Sequence, residues 1–204
     1  MKTTGIILAG GKSKRLGRNK AVEPLSGKSL VTHAFDRLQE VADEIIIVTS
    51  EELASLPYPE GSSVIVDVFP GRGPLSGIFT GLSAAKNQYC IAVGCDMPFL
   101  NEKLLRHMVE RCAGFDAVVP KIGTAVEPLH SVYSRSCIPA IKAQLEAEIN
   151  QIAALFNSVR VYYMGEQECR EFDPDLESFI NVNDQHDLKN AVKAAAKREG
   201  EPLC

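Results

Sequence analysis

A short apolar run that ends in two glycines and a basic loop constrains this chain more than any other feature. Residues 5–20 read Gly-Ile-Ile-Leu-Ala-Gly-Gly-Lys-Ser-Lys-Arg-Leu-Gly-Arg-Asn-Lys. The apolar part has the length of a buried strand, and glycines allow close backbone approach and positive φ. Backbone N–H groups in such a turn can point at phosphate oxygens. The loop has no acid in a chain of net charge −4, and its five basic residues are Lys12, Lys14, Arg15, Arg18 and Lys20.

The spacing of the glycines excludes two common phosphate-binding motifs. The G-x-x-x-x-G-K-[ST] motif would need a glycine at the position of Ile6, and the dinucleotide-binding G-x-G-x-x-G motif is absent. The pattern that remains, L-A-G-G-x-S-x-R-L-G-x-x-K, resembles the signature of sugar-nucleotide-type nucleotidyltransferases. The alternative is an ordinary strand-to-helix turn with a solvated basic face.

The composition favours one cytoplasmic α/β domain. A chain of 204 residues with 45% hydrophobic content is long enough to bury one substantial core, so we expect a single domain over residues 1–204. No apolar run reaches the roughly 20 residues of a membrane span, and the N-terminus lacks the apolar region of a secretory signal. The six cysteines are scattered, which predicts neither zinc nor disulfides. Mild acidity argues against nucleic acid as a partner.

Strand-like and helix-like runs alternate, which predicts a mostly parallel central sheet with helices on both faces. Strands are expected at residues 4–8, 44–49, 63–66, 89–93, 115–120, 129–133, 159–164 and 179–183. Helices are expected from Ser29 onward, over 75–86, after Asn101, and over 138–148, 151–156 and 184–197, with 198–204 frayed. In such a sheet, ligands bind at the carboxyl ends of the strands, where loops 10–20, 67–73, 94–98 and 181–183 are expected to lie.

Asp96 is the predicted metal ligand in this arrangement. It directly follows a buried strand, and Pro98 restricts the turn, so its carboxylate is well placed to hold Mg²⁺ beside substrate phosphates. The alternative is an aspartate that bonds its own backbone in a turn. Arg15 and Lys20 are the best candidates to stabilise charge on a transferring phosphate and a leaving pyrophosphate. The other basic residues of the loop are open between phosphate contact and solvent.

Asp67 is the predicted reader of the nucleobase. Its carboxylate can accept hydrogen bonds from N1–H and the 2-amino group of guanine, and an Asx-turn into the loop is the alternative. A helix N-terminus at Leu75-Ser76-Gly77 would favour an anion nearby. Gly77 and Gly81 are also consistent with close packing of that helix.

Glu127, His130, Asn181 and Asn183 are weaker candidates for the acceptor side of the site. A histidine near a strand is more often part of the core, and Asn183 also suits a helix N-cap. No serine, cysteine or histidine arrangement provides a nucleophile with a base and an orienting acid. That pattern fits a nucleophile that is itself a substrate phosphate, which is anionic at neutral pH.

Together these motifs resemble those of the molybdenum cofactor guanylyltransferases. The resemblance runs from about residue 4 to residue 192. The matching segments are Leu8-Ala9-Gly10-Gly11-x-Ser13-x-Arg15-Leu16-Gly17 with Lys20, Asp67, Gly73-Pro74-Leu75-Ser76-Gly77-Ile78, Cys95-Asp96-Met97-Pro98 and Asn181-Val182-Asn183-x-x-x-Asp187-Leu188. The chain departs from the family in having Asn19 where aspartate is frequent and Ser76 where alanine is common.

The resemblance implies a Rossmann-like nucleotidyltransferase fold. It also implies transfer of GMP from GTP to the terminal phosphate of the molybdopterin molybdenum cofactor, with release of pyrophosphate. In that reaction Asp96 would bind Mg²⁺, the N-terminal part of the chain would bind GTP and the C-terminal part the acceptor. The residues implied to contact GTP are Leu8, Ala9, Gly10, Gly11, Lys20, Asp67 and Asp96.

Three other functions remain open from the residues alone. A cytidylyltransferase acting on the same cofactor is the nearest, although the Leu-Ala-Gly-Gly opening favours GTP because the cytidylyl relatives tend to carry Leu-Ala-Ala-Gly. A sugar-1-phosphate nucleotidyltransferase and a non-catalytic nucleotide-binding or cofactor-delivery protein are the others. Molybdoenzymes or their chaperones are candidate partners.

Overall fold

Short β-branched runs and amphipathic segments give the alternating strands and helices that the sequence predicts. The computed structural model describes residues 1–10 and 20–199, the side chains of 196–199 excepted. The strands are β1 (Thr3–Leu8), β2 (Pro24–Leu25), β3 (Lys28–Ser29), β4 (Glu44–Thr49), β5 (Ser62–Val66), β6 (Tyr89–Gly94), β7 (Ala117–Ile122), β8 (Ala125–Val126), β9 (His130–Ser134) and β10 (Val161–Gly165). The helices are α1 (Leu30–Leu38), α2 (Pro74–Ala84), α3 (Glu102–Glu110), α4 (Ile138–Glu146), α5 (Ile152–Leu155), α6 (Glu166–Arg170) and α7 (Gln185–Glu199).

The central sheet has the strand order β10-β7-β9-β6-β1-β4-β5. Strand β9 runs antiparallel to both neighbours, and the other pairs along this path are parallel. Strand β8 pairs with β7 at one end, and β2 and β3 form a separate hairpin. The predicted mostly parallel sheet is therefore confirmed, and β1 lies at its centre between β4 and β6.

Both faces of the sheet are covered, because neighbouring residues of each buried strand point to opposite sides. On one face, Ile7 belongs to a core that includes side chains of α1, α3 and α6. On the other face, Ile6 and Leu8 belong to a core that includes α2, α4 and α5. The predicted helices on both faces are confirmed. None of the described helices has the combined length and apolarity of a membrane span.

Helix α2 lies close against β1 because two glycines face that strand. A Cβ at Gly81 would stand 2.6 Å from Cγ2 of Ile6, and one at Gly77 would stand 2.9 Å from Cδ2 of Leu8. This Cγ2 atom is bonded to Cβ of Ile6, a fully buried residue, and so it has little freedom to move away. The close-packing interpretation of the two glycines is thus confirmed.

The predicted strand at residues 179–183 is wrong. Leu176 has a positive φ of 54°, and Glu177–Phe179 forms a 3-10 helix. The N–H of Val182 donates to the carbonyl of Asp96 at 2.9 Å, so this segment joins a loop and not a sheet ladder. Its apolar residues are divided, with Val182 buried in a third small core beside α7 and Ile180 37% exposed. Helix α7 reaches Glu199, so residues 198–199 are helical, and 200–204 lie outside the described residues.

Replacing Gly81 by alanine should destabilise the fold. The added methyl group overpacks the contact with Ile6, at a cost of about 1–3 kcal/mol, and the better helix propensity of alanine returns at most ~1 kcal/mol. We expect the free energy of unfolding in urea to fall by about 1–2 kcal/mol. Ser83→Ala, an exposed change on the same helix, should leave it within ~0.5 kcal/mol of the wild type. A Gly81→Ala protein as stable as the wild type would contradict the packing assignment.

Candidate active site

Main-chain hydrogen bonds join the loops that follow the central strands. The N–H of Ala9 donates to the carbonyl of Val48 at 2.8 Å, and the N–H of Cys95 donates to that of Leu8 at 3.2 Å. At the next strand, the N–H of Asp67 donates to the carbonyl of Thr49 at 2.8 Å. The carboxyl ends of β1, β4, β5 and β6 therefore form one continuous edge, where ligands bind in folds of this class.

An ion pair between Lys20 and Asp96 lies at this edge. Lys20 Nζ is 2.5 Å from Asp96 Oδ2, and the two side chains are 18% and 20% exposed. Nζ also donates to Asn183 Oδ1 at 2.7 Å. Three sequence-predicted residues from distant parts of the chain are thus brought into direct contact.

The carboxylate of Asp96 is held by the side chain of Lys20 and not by its own turn. Among the described residues, no backbone N–H donates to it. A Cβ at Gly94 would stand 2.3 Å from Oδ1, so this oxygen lies in a space that exists only because residue 94 is glycine. A hard carboxylate oxygen at a partly exposed position fits Mg²⁺, which takes one or two carboxylates together with substrate phosphates and water.

The segment that carries Asn183 is fixed by hydrogen bonds at both ends. Besides the contact of Val182 with Asp96, the N–H of Asn183 donates to Asp187 Oδ2 at 2.9 Å. Asp184 caps α7, because its Oδ1 accepts from the N–H groups of His186 and Asp187. The N-cap interpretation of Asn183 is wrong, and its side chain is available to Lys20. The carboxylates of Asp184 and Asp187 lie close to His186, and the capping bonds account for this grouping.

Asp67 is held by three donors. Its Oδ1 accepts from the N–H of Phe69 at 3.1 Å and from Thr80 Oγ1 at 2.9 Å, and its Oδ2 accepts from Ser76 Oγ at 2.5 Å. The contact with Phe69 is the Asx-turn of the alternative interpretation. The two hydroxyl contacts come from α2, so the carboxylate lies across the first turns of that helix. The sequence places Ser76 at a helix N-terminus without indicating its contact with Asp67, and it gives no signal for Thr80.

The first strand presents only part of the predicted nucleotide loop. Leu8 and Ala9 are buried, with exposed fractions of 9% and 3%, whereas Gly10 is exposed. Gly10 does not have positive φ, and a Cβ there would meet its nearest atom at 3.6 Å, an ordinary contact. Neither positive φ nor a close backbone approach, the two reasons expected for a glycine here, is therefore found at Gly10. Gly11 and Arg15, with Lys12, Lys14 and Arg18, lie outside the described residues.

The weaker candidates have different surroundings. Glu127 is partly exposed, and burial raises the pKa of its carboxyl. The side-chain amide of Asn181 donates to the carbonyl of Phe179 at 3.2 Å. His130 is fully buried beside Phe179, with ring centroids 4.6 Å apart. Neither of its ring nitrogens has a hydrogen-bond partner among the described residues. In this arrangement His130 is a core residue beneath the segment that leads to Asn181.

Comparison with known proteins gives a consistent result. The MobA-like NTP transferase domain family matches residues 5–160. A probable molybdenum cofactor guanylyltransferase of Pelotomaculum thermopropionicum is 38% identical over 98% of this chain and 97% of its own length. A molybdenum cofactor guanylyltransferase of Desulfosudis oleivorans is 37% identical over 94% of this chain and 95% of its own.

Solved structures show the same architecture. Molybdopterin-guanine dinucleotide biosynthesis protein A of Archaeoglobus fulgidus matches with a TM-score of 0.83 and 28% identity, over 95% of this chain and 99% of that one. A 2-C-methyl-D-erythritol 4-phosphate cytidylyltransferase of Thermus thermophilus matches with a TM-score of 0.70 and 15% identity, over 96% of this chain and 99% of that one. At that identity the second match shows the fold alone. The expected Rossmann-like nucleotidyltransferase fold is confirmed.

Burial of His130 should make the protein less stable in acid. Burial lowers the pKa of its imidazole from 6.5 to about 4, so between these values the unfolded chain binds a proton that the folded protein does not. Stability therefore rises with pH across this window and falls on acidification. From pH 7 to pH 5 this residue should account for a loss of about 2 kcal/mol.

Urea unfolding at the two pH values measures this loss. His130→Phe and His130→Gln should each lose about 2 kcal/mol less than the wild type between pH 7 and pH 5. Equal losses in wild type and in both variants would show that His130 is not buried in its neutral form.

Proposed function

This chain belongs to the MobA-like NTP transferase family, and we propose that it transfers GMP from GTP to the terminal phosphate of the molybdopterin molybdenum cofactor, releasing pyrophosphate. Its relatives at 37–38% identity over nearly the full chain carry the name molybdenum cofactor guanylyltransferase. The observation that carries the proposal is the contact of Lys20 with both Asp96 and Asn183 at the carboxyl edge of the sheet.

The charges at this edge suit a nucleotide–metal complex. Transfer of a nucleotidyl group depends mainly on positioning and on stabilising charge. Asp96 would hold Mg²⁺, which when bound supplies positive charge against the phosphate oxygens of GTP. Lys20 would then be available to the phosphates, because its partner in this structure, Asp96, is the residue that would hold the metal. Asn183 keeps an acceptor 2.7 Å from the ammonium, so Lys20 remains oriented when it leaves Asp96.

The reacting phosphates would be contacted by two basic residues. Lys20 would stabilise the negative charge that develops during attack on the α-phosphorus. Arg15, in the loop outside the described residues, would complete this role on the leaving pyrophosphate. The terminal phosphate of the acceptor is already anionic at neutral pH, so the attack needs no side-chain base.

The nucleobase and the acceptor would occupy opposite sides of this ion pair. Asp67 and the backbone of Leu8, Ala9, Gly10 and Gly11 would bind GTP. Glu127, Asn181 and Asn183 would contact the acceptor, and buried His130 would support the segment that carries the asparagines.

The cytoplasm is the proposed location, with molybdoenzymes or their chaperones as recipients of the product.

Pyrophosphate release with each of the four NTPs, with and without molybdenum cofactor, tests the proposal. Release should require both GTP and the cofactor, and Lys20→Ala and Asp96→Ala should each lower kcat/KM by roughly 100-fold or more, because both groups act on charge in the transition state. Release with CTP or with a sugar phosphate in place of the cofactor would overturn the assignment.

A second ion pair provides a matched control for this assay. Lys28 Nζ is 2.5 Å from Asp36 Oδ2 at the surface, the same separation as at the candidate site. Lys28→Ala and Asp36→Ala should leave kcat/KM near the wild-type value. Circular dichroism should show that all four variants are folded, and a folded Lys20→Ala enzyme with unchanged turnover would remove Lys20 from the mechanism.

Metal binding without nucleotide gives an independent readout. In the free protein the ammonium of Lys20 competes with a cation for Asp96. Lys20→Met should therefore bind Mn²⁺ roughly tenfold more tightly than the wild type, because the ion no longer has to displace one charge-assisted contact. Asp96→Asn should bind it more weakly. Electron paramagnetic resonance of free Mn²⁺ measures both, and equal affinities in all three proteins would exclude Asp96 as the metal ligand.

A further inference from the structure

The carboxylate of Asp67 is oriented by two buried hydroxyl groups. Ser76 is fully buried and Thr80 is 3% exposed. The Thr80 hydroxyl accepts from the N–H of Val68 at 3.2 Å and donates to Asp67 Oδ1 at 2.9 Å, so its hydrogen has a fixed direction. Ser76 Oγ lies 2.7 Å from the carbonyl of Gly73 and 2.5 Å from Asp67 Oδ2. Its single proton has two acceptors within reach.

The two oxygens of Asp67 are used unequally. A carboxylate offers about four acceptor positions, two on each oxygen. Oδ1 accepts from Phe69 and Thr80, which occupies both of its positions. Among the described residues, Oδ2 accepts only from Ser76. The open acceptor position is therefore on Oδ2, and the partly exposed carboxylate can use it for a ligand.

An Asx-turn alone would not need this arrangement. The turn requires only the N–H of Phe69 on one oxygen, and it would leave the carboxylate free to rotate toward solvent. The hydroxyls on α2 add two donors from a helix that is packed closely on β1. They hold the carboxylate in one orientation before any ligand binds, which reduces the ordering cost of recognition.

We propose that Ser76 and Thr80 are specificity-determining positioning residues, which orient Asp67 so that Oδ2 accepts a hydrogen bond from the guanine base. The inference rests on the proposed function, in which Asp67 contacts GTP. Adenine has an acceptor, N1, where guanine has the N1–H donor, and it lacks the 2-amino group. A fixed carboxylate therefore attracts guanine and repels adenine, whereas a rotating one discriminates less.

The ratio of kcat/KM with GTP to kcat/KM with ATP tests the inference. Thr80→Val should lower this ratio by roughly tenfold or more, the worth of one charge-assisted hydrogen bond. Ser76→Ala, which introduces the residue common in the family, should lower it by a smaller factor, because the N–H of Phe69 and the Thr80 hydroxyl still hold Oδ1. Thr80→Ser, which keeps the hydroxyl, should restore it. Ser83→Ala, which removes an exposed hydroxyl of the same helix, should leave it at the wild-type value.

These outcomes separate the inference from the proposed function. A wild type without GTP-dependent, cofactor-dependent transfer would overturn both. An active wild type together with folded Ser76→Ala and Thr80→Val variants of unchanged GTP-to-ATP ratio would overturn the inference alone.

An Asp67→Asn variant tests the orientation without changing either hydroxyl. The N–H of Phe69 and the Thr80 hydroxyl should hold the amide oxygen at the position of Oδ1, so the amide nitrogen takes the place of Oδ2. The Ser76 hydroxyl can accept a hydrogen bond from that nitrogen while it donates its own proton to the carbonyl of Gly73. The remaining amide hydrogen then faces the ligand as a donor, which suits the 2-carbonyl of xanthine. Asp67→Asn should therefore use XTP better than GTP, and a variant that still prefers GTP would contradict the proposed orientation.

Discussion

The ammonium of Lys20 joins three segments that are far apart in the sequence. It contacts the loop after β6 through Asp96 and the segment before α7 through Asn183. A partly exposed ion pair of this kind adds little to stability, because water screens it and two side chains lose freedom. Its position at the edge where ligands bind therefore matters more than its energy. Under the proposed function, a metal ion would replace Lys20 as the partner of Asp96, and substrate phosphates would replace Asp96 as the partner of Lys20.

The position of this pair depends on how the sheet is built around β1. The strand is buried on both faces, and the glycines of α2 let that helix approach Ile6 and Leu8. Because α2 is fixed in this way, Ser76 and Thr80 have fixed positions beside the end of β5, where they contact Asp67. Packing at the centre of the sheet thus sets the geometry of a polar site at its edge.

Much of this arrangement could be predicted from the sequence. Buried parallel strands are nearly continuous apolar runs, and polar residues directly after them, such as Asp96, must lie at the carboxyl edge. The prediction of a strand at residues 179–183 is wrong because their apolar residues have the same pattern in a sheet strand as in a segment that packs into a small core beside α7. The role of Thr80 could not be predicted, since its contact with Asp67 spans 13 positions and depends on the turn between β5 and α2. The burial of His130 depends likewise on the 3-10 turn that places Phe179 over it.

The two polar groups of the site differ in how freely they can rearrange. Asp67 accepts on Oδ1 from the N–H of Phe69 and the buried Thr80 hydroxyl, and rotation would leave both donors without this partner, a cost of about 1–3 kcal/mol for each buried group. Lys20 is a flexible side chain with three hydrogens, and in the proposed reaction it would keep its contact with Asn183 after leaving Asp96. The same edge therefore combines a rigid acceptor with a movable cation. In the proposed reaction, the rigid group selects the base before chemistry, and the movable one follows the charge that develops during attack on the α-phosphorus.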